Sequence, residues 1–393
     1  MKNSNHTVVD DESVVARVDA LLKHAIEHRA SDIHLEPTRD ELRVRFRIDG
    51  ILVDQQPFSA SLTASIIARL KILANMDSAE RRIPQDGKFH SMHAGNEVDI
   101  RVSTFPCLHG EKMVVRILDR MLQTINLDNL GFEPTMLDAF KRLMQRQSGF
   151  FLVTGPTGSG KTTTLYATLS LLHNSEKNIV TLEDPVEYSL RGITQAQINL
   201  PVGFTFEKGI RSLVRQDPDI IMVGEIRDKI TARIAIEAAL TGHLVLSTLH
   251  TTDAPSAIMR LMDMGIEPFL INAALSGVLA QRLARKLCAD CRTKRPATAQ
   301  EKKLLKQCGI DMNTVYEASG CASCDNLGYK GRVGIFELLE ISPELRSLII
   351  NNPQFDEMYN QAVADGMKTL VKDGAHKVKE GIISLAEYAR IIT

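Results

Sequence analysis

The chain has 393 residues, of which 44% are hydrophobic and 24% charged, with a formal net charge of −1. This length predicts two to three domains of about 150 residues each, with enough apolar side chains to build cores without disulfides. The near-zero charge, the lack of tryptophan and the 5% aromatic content argue against a purely electrostatic nucleic-acid binder and against base-stacking surfaces. No apolar run reaches the ~18 residues that span a bilayer, and the polar N-terminus lacks a signal-peptide core, so a cytoplasmic protein is predicted.

The first 120 residues predict a small α/β module. Residues 1–12 are polar and are expected to form a flexible start, so the module is assigned to residues 13–120. Its apolar side chains show helical spacing in some stretches and strict alternation in others. The predicted elements are helices over 13–28 and 61–74 and strands over 42–48, 97–104 and 111–118.

One predicted strand of this module carries a row of arginines. Arg43, Arg45 and Arg47 alternate with apolar residues and therefore share one face of the strand. Such a face is most often an ordinary solvated sheet surface, and the alternative is a surface for phosphate or for a partner.

A connector at 121–134 leads to a larger module at 135–393. Here apolar strands alternate with helices of ten or more residues, which predicts a mostly parallel sheet covered on both faces. After Pro255 the chain is expected to be helical, with a cysteine-bearing subdomain at 288–331 and terminal helices at 343–393. The other predicted elements are helices over 135–147, 162–173, 206–216 and 229–240 and strands over 149–154, 178–183, 219–223 and 243–249.

The first strand of the larger module is followed by the octapeptide GPTGSGKT at 155–162, which matches the phosphate-binding pattern G-x-x-x-x-G-K-[ST]. Its glycines let backbone N–H groups wrap phosphates, and the following helix adds partial positive charge. Lys161 would reach the β- and γ-phosphates, and the Thr162 hydroxyl would ligate Mg²⁺. The residues assigned to nucleotide binding are Gly155, Pro156, Thr157, Gly158, Ser159, Gly160, Lys161 and Thr162.

Carboxylates follow two further strands of the predicted sheet. Glu183, Asp184 and Glu187 follow one strand and Glu225 follows another, so they are expected beside the phosphate loop at the carboxyl edge. Gly224 stands where an ordinary P-loop enzyme has its Mg²⁺-facing aspartate, so metal contact would come from the loop threonine, water, Glu225 or the Glu183/Asp184 pair. Glu225 is expected to polarise the attacking water, with Glu183 as the alternative, and helix capping is the other role open to both.

Two histidines and two arginines complete the candidate site. His250 follows the strand predicted over 243–249 and is expected to sense or switch, or else to be structural, whereas His243 lies at the opposite end of that strand. Arg211 and Arg215 are four residues apart on a predicted helix. This spacing suits contacts with phosphates or carboxylates, and equally suits surface salt bridges.

Four of the six cysteines form two C-x-x-C pairs, Cys288/Cys291 and Cys321/Cys324. The spacer is longer than that of a usual zinc ribbon, but the pairs suit tetrahedral coordination by four thiolates, so a structural Zn²⁺ is predicted. An iron–sulfur cluster and a redox dithiol are the alternatives. Cys107 and Cys308 are left as packing residues.

Six motifs together resemble the type II/type IV secretion ATPases, the cytoplasmic motors of type II secretion, type IV pilus assembly and related competence systems. They are SDIHLEP at 31–37, GPTGSGKT at 155–162, LEDPVE at 182–187, RQDPD at 215–219, GEIRD at 224–228 and STLH at 247–250. The resemblance covers residues 13–393. It names the phosphate loop Walker A, the carboxylates Glu183, Asp184 and Glu187 the Asp box, Glu225 Walker B, and 243–250 the His box.

The resemblance implies a PAS-like domain followed by a RecA-like domain, assembled as a homohexamer that binds ATP and Mg²⁺ between domains. ATP hydrolysis would drive assembly of pilins or pseudopilins through an inner-membrane platform protein, at which the motor acts peripherally. It also assigns Arg101, Arg116, Arg211 and Arg215 to the phosphates. The four cysteines resemble those of secretion and pilus-extension motors, and the chain would be a short form without the extra N-terminal domain of many extension motors.

Two other classes compete with this interpretation. A DNA-translocating or DNA-uptake P-loop motor would bind DNA in a salt-dependent way, which the net charge and few aromatics disfavour. A nucleotide-gated scaffold with little turnover is disfavoured by the intact Lys161, Thr162 and Glu225.

Overall fold

Two units, Met1–Thr124 and Ile125–Thr393, make up the chain in a computed structural model. The structure describes residues 13–93, 95–119, 126–307 and 309–392. The expected flexible start at 1–12, the beginning of the expected connector at 121–134, and Cys308 lie outside the described residues.

The first unit is built on one antiparallel sheet with the strand order β3-β2-β1-β7-β6-β5, and β4 pairs with the outer part of β2. Along β2 the apolar residues Leu42, Val44 and Phe46 are buried and alternate with the arginines, as the sequence pattern predicts. The helices are α1 (Val14–Glu27) and α2 (Thr63–Leu73), and the strands are β1 (Ala30–Pro37), β2 (Glu41–Ile48), β3 (Ile51–Asp54), β4 (Phe58–Ser59), β5 (Gln85–His93), β6 (Asn96–Cys107) and β7 (Gly110–Asp119).

The arginine row of β2 is a solvated face with ion pairs between strands. Arg43 binds Asp54, and Arg45 binds Glu36 through two hydrogen bonds of 2.9 and 2.8 Å. Burial opposes ionisation of Glu36, but its hydrogen bonds from Arg45 and Lys112 outweigh that effect and lower its pKa to about 2. These arginines are therefore occupied by carboxylates of their own sheet.

The second unit is built on a seven-stranded sheet with the order β10-β9-β11-β12-β8-β13-β16, parallel except for the last pair. Its central strands are buried except at Gly149, the first residue of β8, because helices cover both faces. The strands are β8 (Gly149–Thr154), β9 (Ile179–Glu183), β10 (Thr194–Gln197), β11 (Ile220–Val223), β12 (Leu244–Leu249), β13 (Leu275–Leu287), β14 (Thr293–Pro296), β15 (Thr314–Glu317) and β16 (Tyr329–Glu340). The helices are α3 (Pro134–Met144), α4 (Lys161–Leu172), α5 (Phe206–Leu213), α6 (Lys229–Leu240), α7 (Ala254–Asp263), α8 (Pro268–Ala274), α9 (Ala299–Gln307), α10 (Pro343–Ile350), α11 (Phe355–Ala364), α12 (Leu370–Lys379) and α13 (Leu385–Ile392).

The prediction of a helical chain after Pro255 is wrong at β13 and β16, whereas the terminal helices expected at 343–393 are present as α10 to α13. Strands β13 and β16 form a long antiparallel pair, and β13 also pairs in parallel with β8. The residues of β13 are mostly good helix formers, but pairing on both sides and burial override that local preference. The cysteine-bearing segment lies between these two strands and contains the antiparallel pair β14 and β15, with α9 between them in the chain.

Two further differences concern the helices. The helix predicted over 206–216 ends at Leu213, so Arg215 lies beyond it and does not share a helical face with Arg211. The helix predicted over 135–147 ends at Met144.

In the part of the chain that is described, no helix combines the length and the apolar character needed to cross a membrane.

Candidate functional site

The phosphate loop connects the end of β8 to the start of α4 at Lys161. Gly155 and Gly160 have φ values of 147° and 88°, which L side chains rarely adopt. A Cβ atom at Gly155 would also lie 2.4 Å from the carbonyl oxygen of Gln281. The first N–H groups of α4 have no partner within the helix, so the loop and helix together form a backbone cradle suited to an anion.

Lys161 lies almost buried inside this loop. Its Nζ donates hydrogen bonds to the carbonyl oxygens of Gly155, at 2.8 Å, and Pro156, at 3.1 Å. Burial lowers the pKa of Lys161 to about 8, against the opposing effect of the Glu225 carboxylate. A polyanion would favour the charged ammonium, and the adjacent Thr162 is exposed on the first turn of α4. These residues fit the phosphates of a nucleotide and its Mg²⁺.

Glu225 lies two residues beyond the end of β11, at the same sheet edge as the loop. Its Oε1 is 2.5 Å from Nη2 of Arg227, and its Oε2 is 3.6 Å from Nε2 of His250. Burial lowers the pKa of His250, as does the charge of Lys161, while Glu225 raises it. The structure thus brings the predicted residues Glu225 and His250 together, close enough to Lys161 for its charge to interact with both.

Glu183 faces a different environment. Its carboxylate is buried and accepts hydrogen bonds from the hydroxyl of Tyr166, from Thr181 Oγ1 at 2.5 Å and from Gln195 Nε2 at 3.1 Å. Burial raises the pKa of Tyr166, and the hydrogen bond to Glu183 raises it further. Because Glu183 is buried and both of its oxygens accept from these donors, whereas Glu225 is partly exposed, Glu183 is less suited than Glu225 to polarise a water molecule.

The glycine at 224 has a steric explanation. A Cβ atom there would lie 3.3 Å from the carbonyl oxygen of Leu182 and 3.4 Å from the Cα of Glu183, because β9 and β11 approach closely. A larger side chain in this position would fit tightly, and the Leu182 carbonyl would have to shift by a few tenths of an ångström. Of the other Asp-box carboxylates, Asp184 is exposed and Glu187 is half-buried.

The remaining candidate residues of the second unit are His243, Arg211 and Arg215. His243 is at the opposite end of β12 and its Nδ1 is 2.8 Å from the carbonyl oxygen of Ala238, as expected for a residue away from the site. Arg211 pairs with Glu207 at 3.3 Å, and Arg215 bonds to the backbone of Arg211. These two arginines are exposed.

Arg101 and Arg116 belong to the first unit. They are direct partners on β6 and β7, so their side chains share one face of that sheet. Arg116 donates a hydrogen bond of 2.9 Å to the buried carboxylate of Asp32, which belongs to the SDIHLEP motif.

The sequence patterns do not indicate Gln281, which lies on β13 in a segment predicted to be helical. Its side-chain amide donates to the carbonyl oxygen of Ser159 in the phosphate loop at 2.6 Å and accepts from Thr164 Oγ1 at 2.9 Å. A correct assignment of β13 as the neighbour of β8 would have placed this residue beside the loop, since Ala280 pairs with Thr154.

The four cysteines converge on one point. Their sulfur atoms all lie within 4.8 Å of one another, with separations of 3.9 Å for Cys288–Cys321 and 3.8 Å for both Cys291–Cys324 and Cys321–Cys324. A tetrahedral zinc site with Zn–S bonds of ~2.3 Å has sulfur atoms roughly 3.8 Å apart. This geometry fits the predicted structural Zn²⁺.

Backbone groups support the same cluster. Burial opposes ionisation of Cys324, but N–H groups of Cys321 and Gly328 outweigh that effect and lower its pKa to about 7. Outside the cluster, Cys107 is exposed, which contradicts the expectation that it is a packing residue.

Residues 7–390 match the sequence model of the family described as type II/IV secretion system protein. The chain belongs to this family. It is 46% identical over 382 residues to the type II secretion system ATPase E of Vibrio cholerae, covering 97% of this chain and 76% of the relative. It is 48% identical over 384 residues to the type IV pilus assembly ATPase PilB of Myxococcus xanthus, covering 96% and 68% of the two chains.

Solved structures agree with the fold. The Legionella pneumophila ATPase DotB has a TM-score of 0.70 at 22% identity, covering 98% of this chain and 99% of that one. The pilus retraction motor PilT, solved with bound ADP, has a TM-score of 0.62 at 25% identity, covering 94% and 95%. The chain is therefore an α/β protein with a RecA-like nucleotide unit, and it is an ATP-hydrolysing enzyme of the secretion and pilus class.

Proposed function

We propose that this ATPase is a homohexameric motor whose ATP hydrolysis drives assembly of pilins or pseudopilins. It works in the cytoplasm, at the inner membrane, through a platform protein. The observation that carries the proposal is the placement of Glu225 and His250 beside Lys161 at one edge of a parallel sheet. The names of the relatives support this class of machine.

Different groups of the site carry out phosphate binding and hydrolysis. The backbone of the loop holds the phosphates, and Lys161 leaves the carbonyl oxygens of Gly155 and Pro156 to pair with them. Mg²⁺, held in part by Thr162, would neutralise charge on the phosphate oxygens. Glu225 orients and polarises the attacking water. His250, whose pKa is lowered by burial and by Lys161, responds to the charge of Glu225.

Four arginines are proposed to bind phosphate oxygens in the assembled ring. Arg101 and Arg116 share a sheet face, and Asp32 orients Arg116. Arg211 and Arg215 are exposed, which leaves their guanidinium groups accessible to a ligand.

Steady-state ATPase activity of the purified full chain tests the proposal. Lys161→Ala should reduce turnover to background while the protein stays folded, because the phosphates lose their principal cation. The matched control is Lys177→Ala, which removes an exposed lysine of the same unit and should leave turnover unchanged. Turnover at the wild-type rate in Lys161→Ala would refute the site.

The assembly is tested separately. Mass measurement in solution with MgATP should show six copies, and the cytoplasmic part of a platform protein should stimulate turnover. Stimulation by DNA instead, lost at higher salt, would favour a DNA motor over the proposed one.

A further inference from the structure

Gln281 lies where β13 passes the phosphate loop, and its side chain is buried. It is tied to two parts of the nucleotide-binding segment: the Ser159 carbonyl within the loop and the Thr164 hydroxyl on the first turn of α4. Since a carbonyl oxygen can only accept, the amide nitrogen of Gln281 must face Ser159 and the amide oxygen must face Thr164. The orientation of this side chain is thus fixed by its partners.

We propose that Gln281 is a positioning residue that orients the Ser159–Gly160 peptide for phosphate binding. In a trans peptide, the C=O of one residue and the N–H of the next point in opposite directions. The bond of 2.6 Å that holds the Ser159 carbonyl toward Gln281 therefore turns the Gly160 N–H to the opposite side. The inference rests on the proposed function, because it takes Gly160 to be part of the phosphate cradle.

The conformation of Gly160 makes such a clamp necessary. Gly160 has a φ of 88°, and glycine is the residue with the greatest backbone freedom, so the peptide before it is not fixed by local sterics. A phosphate would otherwise have to order this peptide on binding, which costs affinity. The bond from Gln281 orders it in advance.

The packing of β13 against the phosphate loop supports the same role. The Gln281 carbonyl oxygen lies 2.4 Å from where a Gly155 Cβ would be, and the amide nitrogen lies 3.2 Å from where a Gly160 Cβ would be. Gln281 thus touches the loop at both of its ends, and the Thr164 bond holds the side chain against α4. A residue that only filled space would not need both polar contacts.

The test is Gln281→Met, which keeps the length of the side chain and removes both hydrogen bonds. The matched control is Ser276→Ala, which removes a buried hydrogen bond of 3.0 Å from the same strand to the Phe150 carbonyl, at the other end of β8. Thr164→Val removes only the α4 end of the clamp. ATP and ADP affinities, KM and kcat, and melting temperatures with and without MgATP are measured on the full chain.

We expect Gln281→Met to weaken ATP and ADP binding about tenfold, because a buried carbonyl is left unpaired and its peptide is free to turn. The change should be in KM and affinity, with kcat within about threefold, and the melting temperature without nucleotide should match that of Ser276→Ala. The rise in melting temperature caused by MgATP should shrink. Thr164→Val should change affinity less than threefold, since the Ser159 bond stays.

Affinity in Gln281→Met within twofold of Ser276→Ala would overturn the inference, as would equal losses of affinity in all three variants. If Gln281→Met does not fold, Gln281→Glu replaces it, because its carboxylate can accept from Thr164 but cannot donate to Ser159. Wild-type affinity in Gln281→Glu would then overturn the inference. The outcomes are separable from the proposed function: an inactive Lys161→Ala with wild-type binding in the Gln281 variants refutes only the role of Gln281.

Discussion

The Nε2 atom of His250 lies 3.6 Å from Oε2 of Glu225. The two residues meet because β11 and β12 are neighbouring parallel strands in which Val223 pairs with Ser247. Both strands end at the same edge of the sheet, and Glu225 lies two residues after the end of β11 while His250 lies one residue after the end of β12. Because the environment lowers the pKa of His250, this pair is a carboxylate beside a neutral imidazole at pH 7.

Glu225→Gln should lower kcat by about 10²-fold or more, because the amide cannot polarise the attacking water. ATP affinity should stay within about threefold, since Lys161 and the loop backbone are untouched. Single-turnover ATP hydrolysis and equilibrium binding separate the two quantities.

Glu183→Gln is the companion variant for this prediction. Its carboxylate accepts from Tyr166 and Thr181, so the amide should disturb packing and lower the free energy of unfolding by about 1–3 kcal/mol. The loss of kcat should be less than tenfold. A larger loss of kcat in Glu183→Gln than in Glu225→Gln would reverse the assignment.

The lowered pKa of His250 predicts a stability change on acidification. Its pKa in the folded chain lies below the usual value of about 6.5, so between these two values the unfolded chain binds more protons. The contribution of His250 to stability is therefore present above pH 6.5 and falls as the pH is lowered through that value. The charged groups that set this pKa are Lys161, Glu225 and Arg227.

Melting temperatures at pH 7.5 and 5.5 measure this effect. We expect the wild type to lose more stability on acidification than His250→Asn does. His243→Asn, at the far end of β12, is the control and should follow the wild type. An identical loss in wild type and His250→Asn would show that His250 is not the titrating group.

The phosphate loop could be predicted because its residues are contiguous and its chemistry is local. The sequence favours Glu225 over Glu183 but leaves Glu183 as the alternative, since both follow strands of the same sheet and only their side-chain contacts distinguish them. Gln281 was out of reach for a related reason: its loop partner is 122 residues away in the chain. The contact depends on pairing between β8 and β13, which no local pattern of β13 reveals.

The cysteine cluster predicts one zinc ion per chain. Cys324→Ser should abolish zinc binding and lower the melting temperature. The reason is that the ion links the segment after β13, which carries Cys288, to the segment before β16, which carries Cys324. Mass spectrometry measures the zinc content, and calorimetry measures the melting temperature. Cys107→Ser, which removes an exposed thiol, should retain full zinc and the wild-type melting temperature. Retention of full zinc by Cys324→Ser would contradict the site.

The first unit contains a buried ion pair whose removal should destabilise it. Lys71 on α2 is fully buried, and its Nζ lies 2.5 Å from Oε1 of Glu111 on β7 and 2.6 Å from the carbonyl oxygen of Glu80. Lys71→Met leaves the Glu111 carboxylate buried without its cation, which costs about 3–5 kcal/mol. Hydrogen exchange of buried amides in α2 and β7, measured in the full chain, reports this loss.

The double variant Lys71→Met/Glu111→Leu distinguishes the pair from simple packing. Because both charges are removed together, it should recover most of the stability lost in Lys71→Met. Lys23→Met, at an exposed pair 3.9 Å from Glu27, is the control and should cost less than about 0.5 kcal/mol. If Lys71→Met exchanges like Lys23→Met, the buried charge is compensated by groups other than Lys71, and the fold of this unit does not depend on the pair.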